Sequence, residues 1–241
     1  AGAFGTSAAM SAFVVAFKIP NLFRALFGEG ALSAAFVPVF VESRQREGDA
    51  AAWQLARRVF TATALVLALL VLAGIAAVSL VLARPVLGER TALILALLRI
   101  LLPYLFFICL AAVAMAALNA FGCFALPAAV PCILNLVWIA ALIGICPRLD
   151  PALDIRIRAV AWAVLVAGVL QWLAQLPPMI RRGFRPWPLL PGRDPRLLRI
   201  VALMGPVAVG RAVTQVNVAF DALLAAAIGE WAAAALYYSE R

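Results

Sequence analysis

The sequence has 241 residues, of which 66% are hydrophobic and 13% charged, against roughly 45 to 50% apolar and 25% charged in ordinary soluble domains. A soluble chain of this composition would expose large apolar patches, which monomeric proteins avoid, so the composition implies a membrane protein. The net charge of +9 comes from cations scattered between apolar runs with no contiguous basic arm, which argues against nucleic acid and for anionic lipid or an anionic solute as partner.

Six runs approach the 20 or so residues a helix needs to cross the hydrocarbon: residues 6–27, 59–83, 92–119, 125–146, 159–180 and 200–228, with an apolar stub at 231–238 opening a seventh. Transmembrane strands would alternate polar and apolar residues, and stretches such as TATALVLALLVLAGIAAVSLVLA do not. The expected fold is an all-α transmembrane bundle of six spans plus the start of a seventh. The chain begins at Ala1 and stops at Arg241 one turn into a new helix, the pattern expected of a fragment. No signal peptide is recognisable.

Short cytoplasmic loops collect Lys and Arg. Arg44, Arg46, Arg57 and Arg58 follow the first run and Arg181, Arg182, Arg185, Arg193, Arg196 and Arg199 follow the fifth, ten in all. The opposite side carries six: Arg84, Arg90, Arg99, Arg148, Arg156 and Arg158. This bias places residues 42–58 and 181–199 in the cytoplasm. The stretch RRGFRPWPLLPGRDPR is the best internal boundary, with five spans in 1–180, a Pro/Arg-rich loop at 181–199, and the sixth span and next helix start in 200–241.

Four cations remain within or at the mouth of the spans: Lys18, Arg24, Arg211 and Arg241. Each costs about 2.5 to 3.5 kcal/mol at the bilayer centre, so each must snorkel, pair with an acid such as Glu29, Asp221, Glu230 or Glu240, or face a cavity. At about 100° per residue, Ser7, Ser11, Lys18, Asn21 and Arg24 fall within an arc of roughly 140° on the first helix. Pro20 frees a backbone carbonyl there, tolerated in membranes where the kink is covered or lines water. The sixth run repeats the pattern with Arg211, Thr214, Gln215, Asn217 and Asp221 after a Gly205-Pro206 break. Gln171 and Gln175 on the fifth run and Asn135 on the fourth add neutral polar groups.

Cations in a low-dielectric cavity are what an anionic headgroup requires, and Arg supplies them as a bidentate fork. An enzyme is disfavoured: there is no His, no acid pair within one turn of any span, and no GxSxG or GxxxxGK[ST] motif. Cys109, Cys123, Cys132 and Cys146 lack CxxC spacing and read as small core hydrophobes. No metal site and no organic cofactor are expected.

The stretch FKIPNLFRALFGEGALSAAFVPVF, residues 17–40, resembles the signature of the MurJ/MviN family. These are the lipid II flippases of bacterial peptidoglycan synthesis, within the multidrug/oligosaccharidyl-lipid/polysaccharide exporter superfamily. Its carriers are Pro20-Asn21-Leu22, Arg24, Glu29-Gly30-Ala31, Ser33 and Phe36-Val37-Pro38, with support from LPAAVPCILN, AWAVLVAGVLQWLAQLP, MGPVAVG and YYSER further along. The resemblance implies a fourteen-helix transporter of the bacterial inner membrane, acting in cell-wall biogenesis and cell shape, whose first helix and second half lie outside this sequence. The six runs would be its second to seventh helices.

By the same resemblance Arg24 and Arg241 fall on essential cavity arginines, and Asp221 on an acid implicated in sodium binding in some relatives. Ser11 stands where other members carry an acid, and Arg211 gains nothing from the family. The expected function is flipping of lipid II, the undecaprenyl-diphosphate-linked muropeptide, by alternating access. Arg24 and Arg241 would clamp the diphosphate, Lys18 would add charge, and Asn21, Gln215 and the fifth-run glutamines would contact sugar or peptide. The coupling ion would be sodium or a proton, or the membrane potential would drive transport. Membrane lipids and cell-wall synthesis proteins complete the expected partners. The rivals are another exporter of the superfamily, for polysaccharide lipids or drugs, and a non-transporting membrane scaffold on the same fold.

Overall fold

The computed structural model describes residues 8–24, 31–84, 87–149, 152–192 and 194–228, with side chains along the last helix described to residue 210 and at 213. The elements are α1 (Ala8–Phe23), α2 (Leu32–Glu47), α3 (Asp49–Leu82), α4 (Glu89–Ala120), α5 (Ala125–Ala140), α6 (Leu153–Arg181) and α7 (Pro195–Ile228). A π turn, Ala141–Ile145, and a 3-10 turn, Cys146–Arg148, extend α5. No strand occurs among the described residues, and the fold is all-helical as the composition requires.

Among the described residues, four helical stretches are long and apolar enough to cross a membrane: Asp49–Leu82, Glu89–Ala120, Ala125–Arg148 and Leu153–Arg181. α1 is apolar but shorter, and α7 covers the sixth run. At about 1.5 Å per residue, the 34 residues of α3 reach well beyond a hydrocarbon core of roughly 30 Å. Its charged beginning, with Arg57 and Arg58, therefore stands outside the apolar layer. Leu65, Val66, Leu69, Leu72 and Leu80 are more than half exposed on its apolar remainder, a surface suited to lipid and not to water.

The region 42–58, expected to be a loop, is helical throughout apart from Gly48. That residue has φ +86°, a conformation glycine adopts without a Cβ clash, and it lets α2 and α3 meet with no further linker. α2 buries Leu32, Ala35, Phe36, Val39, Phe40 and Ser43, the i, i+3, i+4, i+7 spacing of an amphipathic helix. Its charges are confined to the last turns, Glu42 to Glu47, and the apolar stretch before them is too short to span, so a search for spanning apolar runs passes over it.

α4 is the hub, packing on α1, α2, α3, α5 and α6. One end of the bundle is built on Phe13, Leu101, Tyr104, Leu105 and Val164. The other gathers Phe36, Phe40, Trp53, Met179 and Phe184, with Trp53 stacked on Phe121 at 4.9 Å between ring centroids. The Trp53 indole N–H donates to the Arg182 carbonyl at 2.6 Å, tying the start of α3 to the end of α6. α6 approaches α4 closely at Gly168, where a Cβ would stand 2.6 Å from Cδ2 of Tyr104. None of the four cysteines forms a disulfide; Cys109 and Cys146 are buried in the packing as expected, whereas Cys123 is half-buried and Cys132 exposed, so these two are not core residues.

Candidate functional site

A cavity of about 360 Å³ opens between α1, α4, α5 and α6. α1 contributes Phe17, Asn21 and Arg24, which recur at helical spacing on one face. α5 contributes Asn135 and Trp138, α6 contributes Gln171 and Gln175, and α4 supplies Tyr104 and an apolar wall from Ile108 to Met115. Among the described lining residues there is no carboxylate, and Arg24 is the one charged group.

The cavity has two levels. Phe17 lies 6.0 Å from Tyr104 and 6.4 Å from Trp138 between ring centroids, and the three rings make an aromatic floor. Arg24 is seven residues beyond Phe17, and Gln175 is seven beyond Gly168, which abuts Tyr104. Seven residues of helix rise about 10 Å, so the guanidinium-bearing residue and the glutamine reach a common polar level above that floor. At this level Arg24 Nε donates to Asn21 Oδ1 at 3.1 Å.

The glutamines are buried, Gln171 at 2% and Gln175 at 0% exposure. Gln175 Nε2 donates to the carbonyls of Ala111 and Gln171, each at 3.1 Å, and Gln171 Nε2 donates to the Val130 carbonyl at 3.1 Å. Because the NH₂ groups must face these carbonyls, the amide orientations follow from the network. The two Oε1 atoms and the Trp138 indole N–H are fully buried and meet no hydrogen-bond partner among the described residues. Burying such an acceptor unsatisfied costs about 1 to 3 kcal/mol.

The polar arc expected on α1 thus divides. Asn21 and Arg24 reach the cavity, with Phe17 between them in angle. Lys18 and Ser11 lie on the other edge of the arc, exposed and outside the cavity lining. Lys18 therefore adds no charge to this cavity, because one residue's step from Phe17 turns it about 100° round the helix. Arg241 lies outside the described residues. Gln215, Asp221 and Arg211 are on α7, with side chains likewise outside the described set.

A second constellation, absent from the sequence reading, sits at the end of the bundle where α2, the start of α3 and α7 meet. Asp194 has a side chain 2% exposed and pairs with Arg58 and, at 3.1 Å, with Arg196. Arg196 continues to Glu47 at 2.7 Å and Ser43 at 3.1 Å, and Arg199 pairs with Glu42 at 2.7 Å. Asp194 also accepts the Arg196 backbone N–H at 2.9 Å, so it caps α7 ahead of Pro195 in the first helical position. Burial by itself would raise the Asp194 carboxyl, but hydrogen bonds from Arg196 and Arg58 outweigh it and hold it below the ordinary carboxylate value. The Asp-Pro pair was the available sequence signal for this cap.

The described linker between α6 and α7 also lies along α3. Arg57 Nε donates to the Trp187 carbonyl at 3.0 Å, and the Leu189 N–H donates to Thr61 Oγ1 at 3.1 Å.

Comparison with known proteins decides what this helical assembly is part of. The family model described as lipid II flippase MurJ matches residues 1–241. The chain belongs to the MurJ lipid II flippase family. It is 37% identical over 250 residues to a lipid II flippase MurJ of Burkholderia cenocepacia, covering 100% of this chain and 48% of that protein. A probable lipid II flippase MurJ of Vibrio cholerae is 32% identical over 255 residues, covering 100% of the chain and 47% of the relative. Among solved structures, lipid II flippase MurJ in an inward closed conformation matches with a TM-score of 0.67 and 25% identity, over 89% of this chain and 44% of the other. The chain spans about half the length of the curated relatives it matches. Family membership makes it a multi-pass helical protein of the bacterial inner membrane, in a family of lipid II flippases.

Proposed function

We propose that this chain supplies one wall of the transport cavity of a lipid II flippase working by alternating access, and that Arg24 is a diphosphate ligand within it. The supporting observation is the cavity among α1, α4, α5 and α6, where the Arg24 guanidinium lines an open space together with amides and aromatic rings. An anionic headgroup entering a low-dielectric space needs compensating charge, and a guanidinium offers two parallel N–H bonds to phosphate oxygens. The polyprenyl tail would stay in lipid while the headgroup occupies the cavity, and two helix bundles would rock about it. Arg241 is proposed as the second arginine of the clamp. Asn21 holds Arg24 in place, and Gln215 is a further headgroup contact from α7. Asp221 is the proposed ion ligand if sodium drives the cycle, with a proton or the membrane potential as the other drivers.

The test is lipid II translocation by the full-length protein in proteoliposomes. Arg24→Ala should abolish flipping while leaving the protein folded in the membrane. Arg24→Lys, which keeps the charge and loses the fork, should be strongly impaired. Arg241→Ala should match Arg24→Ala, and Arg211→Ala should be milder. Wild-type flipping by both Arg24→Ala and Arg241→Ala at equal expression would overturn the cationic cavity and promote a scaffold.

The proposed orientation puts the α2–α3 junction and the α6–α7 linker in the cytoplasm. Single cysteines at positions 50 and 190, in a cysteine-free background, should label from the cytoplasm and one at 88 from the periplasm. The reverse pattern would invert the topology.

A further inference from the structure

A second groove, of about 360 Å³, lies between α3, α4, α6 and the linker that follows α6. It shares no lining residue with the cavity around Arg24: Phe106 and Trp172 line the groove, whereas Ile108 and Gln171 line the cavity. α3 gives the groove its length. Arg57, Thr61, Ala64 and Ala68 recur at helical spacing down one stripe, and the rise from Arg57 to Ala68 is about 16 Å. That is close to half of a hydrocarbon core of roughly 30 Å, the depth of one leaflet. Below Arg57 the wall offers a ligand little polarity, since the Thr61 hydroxyl is already bonded to the Arg57 carbonyl and the Leu189 N–H.

Charge is confined to the mouth. Arg57 is the one ionic group among the described lining residues, and its Nε donates to the Trp187 carbonyl, which leaves its two terminal nitrogens for another acceptor. Arg185, two residues before Trp187, is exposed. Elsewhere at this end of the bundle Arg44, Arg46, Arg58, Arg196 and Arg199 each meet a carboxylate. Arg57 and Arg185 meet none among the described residues. Trp187 at 73% and Leu190 at 78% exposure mark the same level as interfacial, because Trp gathers where membrane meets water.

We propose that this groove binds an anionic glycerophospholipid, with one acyl chain along the α3 stripe and the phosphate held by Arg57 and Arg185. The site goes beyond the flippase reading and does not depend on it. In the proposed orientation the lipid belongs to the cytoplasmic leaflet. Each end of the groove fits one part of such a lipid: an apolar slot one leaflet deep takes a chain, and guanidiniums without a protein anion attract a charged headgroup. A polyprenyl tail fits less well, because it outruns a slot confined to one leaflet and its diphosphate has a separate arginine at Arg24.

The test is native mass spectrometry of the full-length protein in detergent, which resolves lipid occupancy on each folded molecule. It is titrated separately with dioleoyl phosphatidylglycerol, which is anionic, and dioleoyl phosphatidylethanolamine, a zwitterion with the same chains. The wild type should bind its first phosphatidylglycerol about tenfold more tightly, the worth of a charge-assisted hydrogen bond. Arg57→Gln with Arg185→Gln should bring phosphatidylglycerol down to the level of phosphatidylethanolamine and leave the latter unchanged. Ala68→Trp, which fills the slot and keeps both arginines, should weaken both lipids by a similar factor.

Equal affinity for the two lipids in the wild type, or a preference that survives the double arginine variant, overturns the site. So does unchanged binding of both lipids by Ala68→Trp. Arg24→Ala should keep the phosphatidylglycerol preference, and its loss there would move the anionic lipid into the cavity and overturn the groove. Failure of Arg24→Ala to impair flipping, by contrast, touches only the diphosphate reading, so the two failures are distinguishable. Stoichiometric displacement of phosphatidylglycerol by undecaprenyl phosphate in the Arg24→Ala protein would give the groove to a polyprenyl tail and overturn the phospholipid.

Discussion

Two regions of this chain handle arginine in opposite ways. At the end of the bundle, Arg58, Arg196 and Arg199 are met by Asp194, Glu47 and Glu42, and the cluster ties the linker and α7 to α2 and α3. In the cavity, Arg24 is bonded to Asn21 and shares the lining with amides and aromatic side chains, and no carboxylate is among the described lining residues. An arginine that closes a structure is given fixed anions by the protein itself. One that lines a cavity is oriented there by a neutral side chain, as Asn21 orients Arg24. The difference separates a latch from a binding site, although both begin as arginines in an apolar chain.

The sharpest way to break that comparison is to exchange the consequences. Arg24→Ala should remove transport and leave thermal unfolding in detergent near wild type. Asp194→Ala should do the reverse, lowering stability by about 3 kcal/mol through the two arginines left facing each other, the lower end of the cost of breaking a buried pair. Lipid II affinity per folded molecule should stay unchanged in Asp194→Ala. A stability loss in Arg24→Ala as large as that in Asp194→Ala would erase the distinction.

The latch also has a pH signature. The Asp194 carboxyl is held below its ordinary value of 3.8, so its contribution is fully present above that value and is lost as pH falls through the lower folded value. Unfolding temperature should therefore be insensitive to this group between neutral pH and pH 4 and fall only in stronger acid.

How much of this was legible in the sequence depends on the kind of signal. The all-helical membrane fold was legible because continuous apolar runs can bury their backbone in lipid only as helices. Arg24 and Asn21 were legible because a charge and an amide inside such a run demand an explanation. α2 was not, since its apolar stretch ends at Val41, too short to span, and charged residues crowd its remaining turns. The aromatic floor was invisible for the opposite reason: Phe17, Tyr104 and Trp138 look like any other hydrophobic residues until three helices bring them together. The arginines of the linker were counted as orientation charges, and only the fold shows that Glu42, Glu47 and Asp194 come from separated segments to meet them. Lys18 shows the limit of a helical-wheel argument, which gives a polar arc without saying which part of it a neighbouring helix covers.

A smaller effect tests whether the floor belongs to the site or only to the packing. Gly168→Ala puts a Cβ 2.6 Å from Cδ2 and 3.1 Å from Cε2 of Tyr104, a ring 2% exposed with little freedom to move aside. Overpacking of this kind costs about 1 to 3 kcal/mol, read as a lowered unfolding temperature. Because Tyr104 is also a cavity wall, lipid II binding should weaken as well. Gly74→Ala is the control: its Cβ would meet the Leu102 side chain at 3.2 Å, away from the cavity, and should leave binding intact.

The smallest expected effect lies on the latch side, at Thr61. Its hydroxyl donates to the Arg57 carbonyl at 2.8 Å and accepts the Leu189 N–H at 3.1 Å, so a single oxygen joins α3 to the linker. Thr61→Val preserves the shape, removes both bonds and leaves the Leu189 amide without its acceptor, for a cost of about 1 kcal/mol. The nearby Arg57 bond to the Trp187 carbonyl and the Asp194 cluster still hold the segment at either side, so global unfolding should shift only slightly. Hydrogen exchange should report the change locally, with faster exchange at residues 187–190 and none at Gln171 or Gln175. Faster exchange reaching α6 would mean that the linker and the cavity open as one unit, and the separation of latch from site would then fail at its weakest joint.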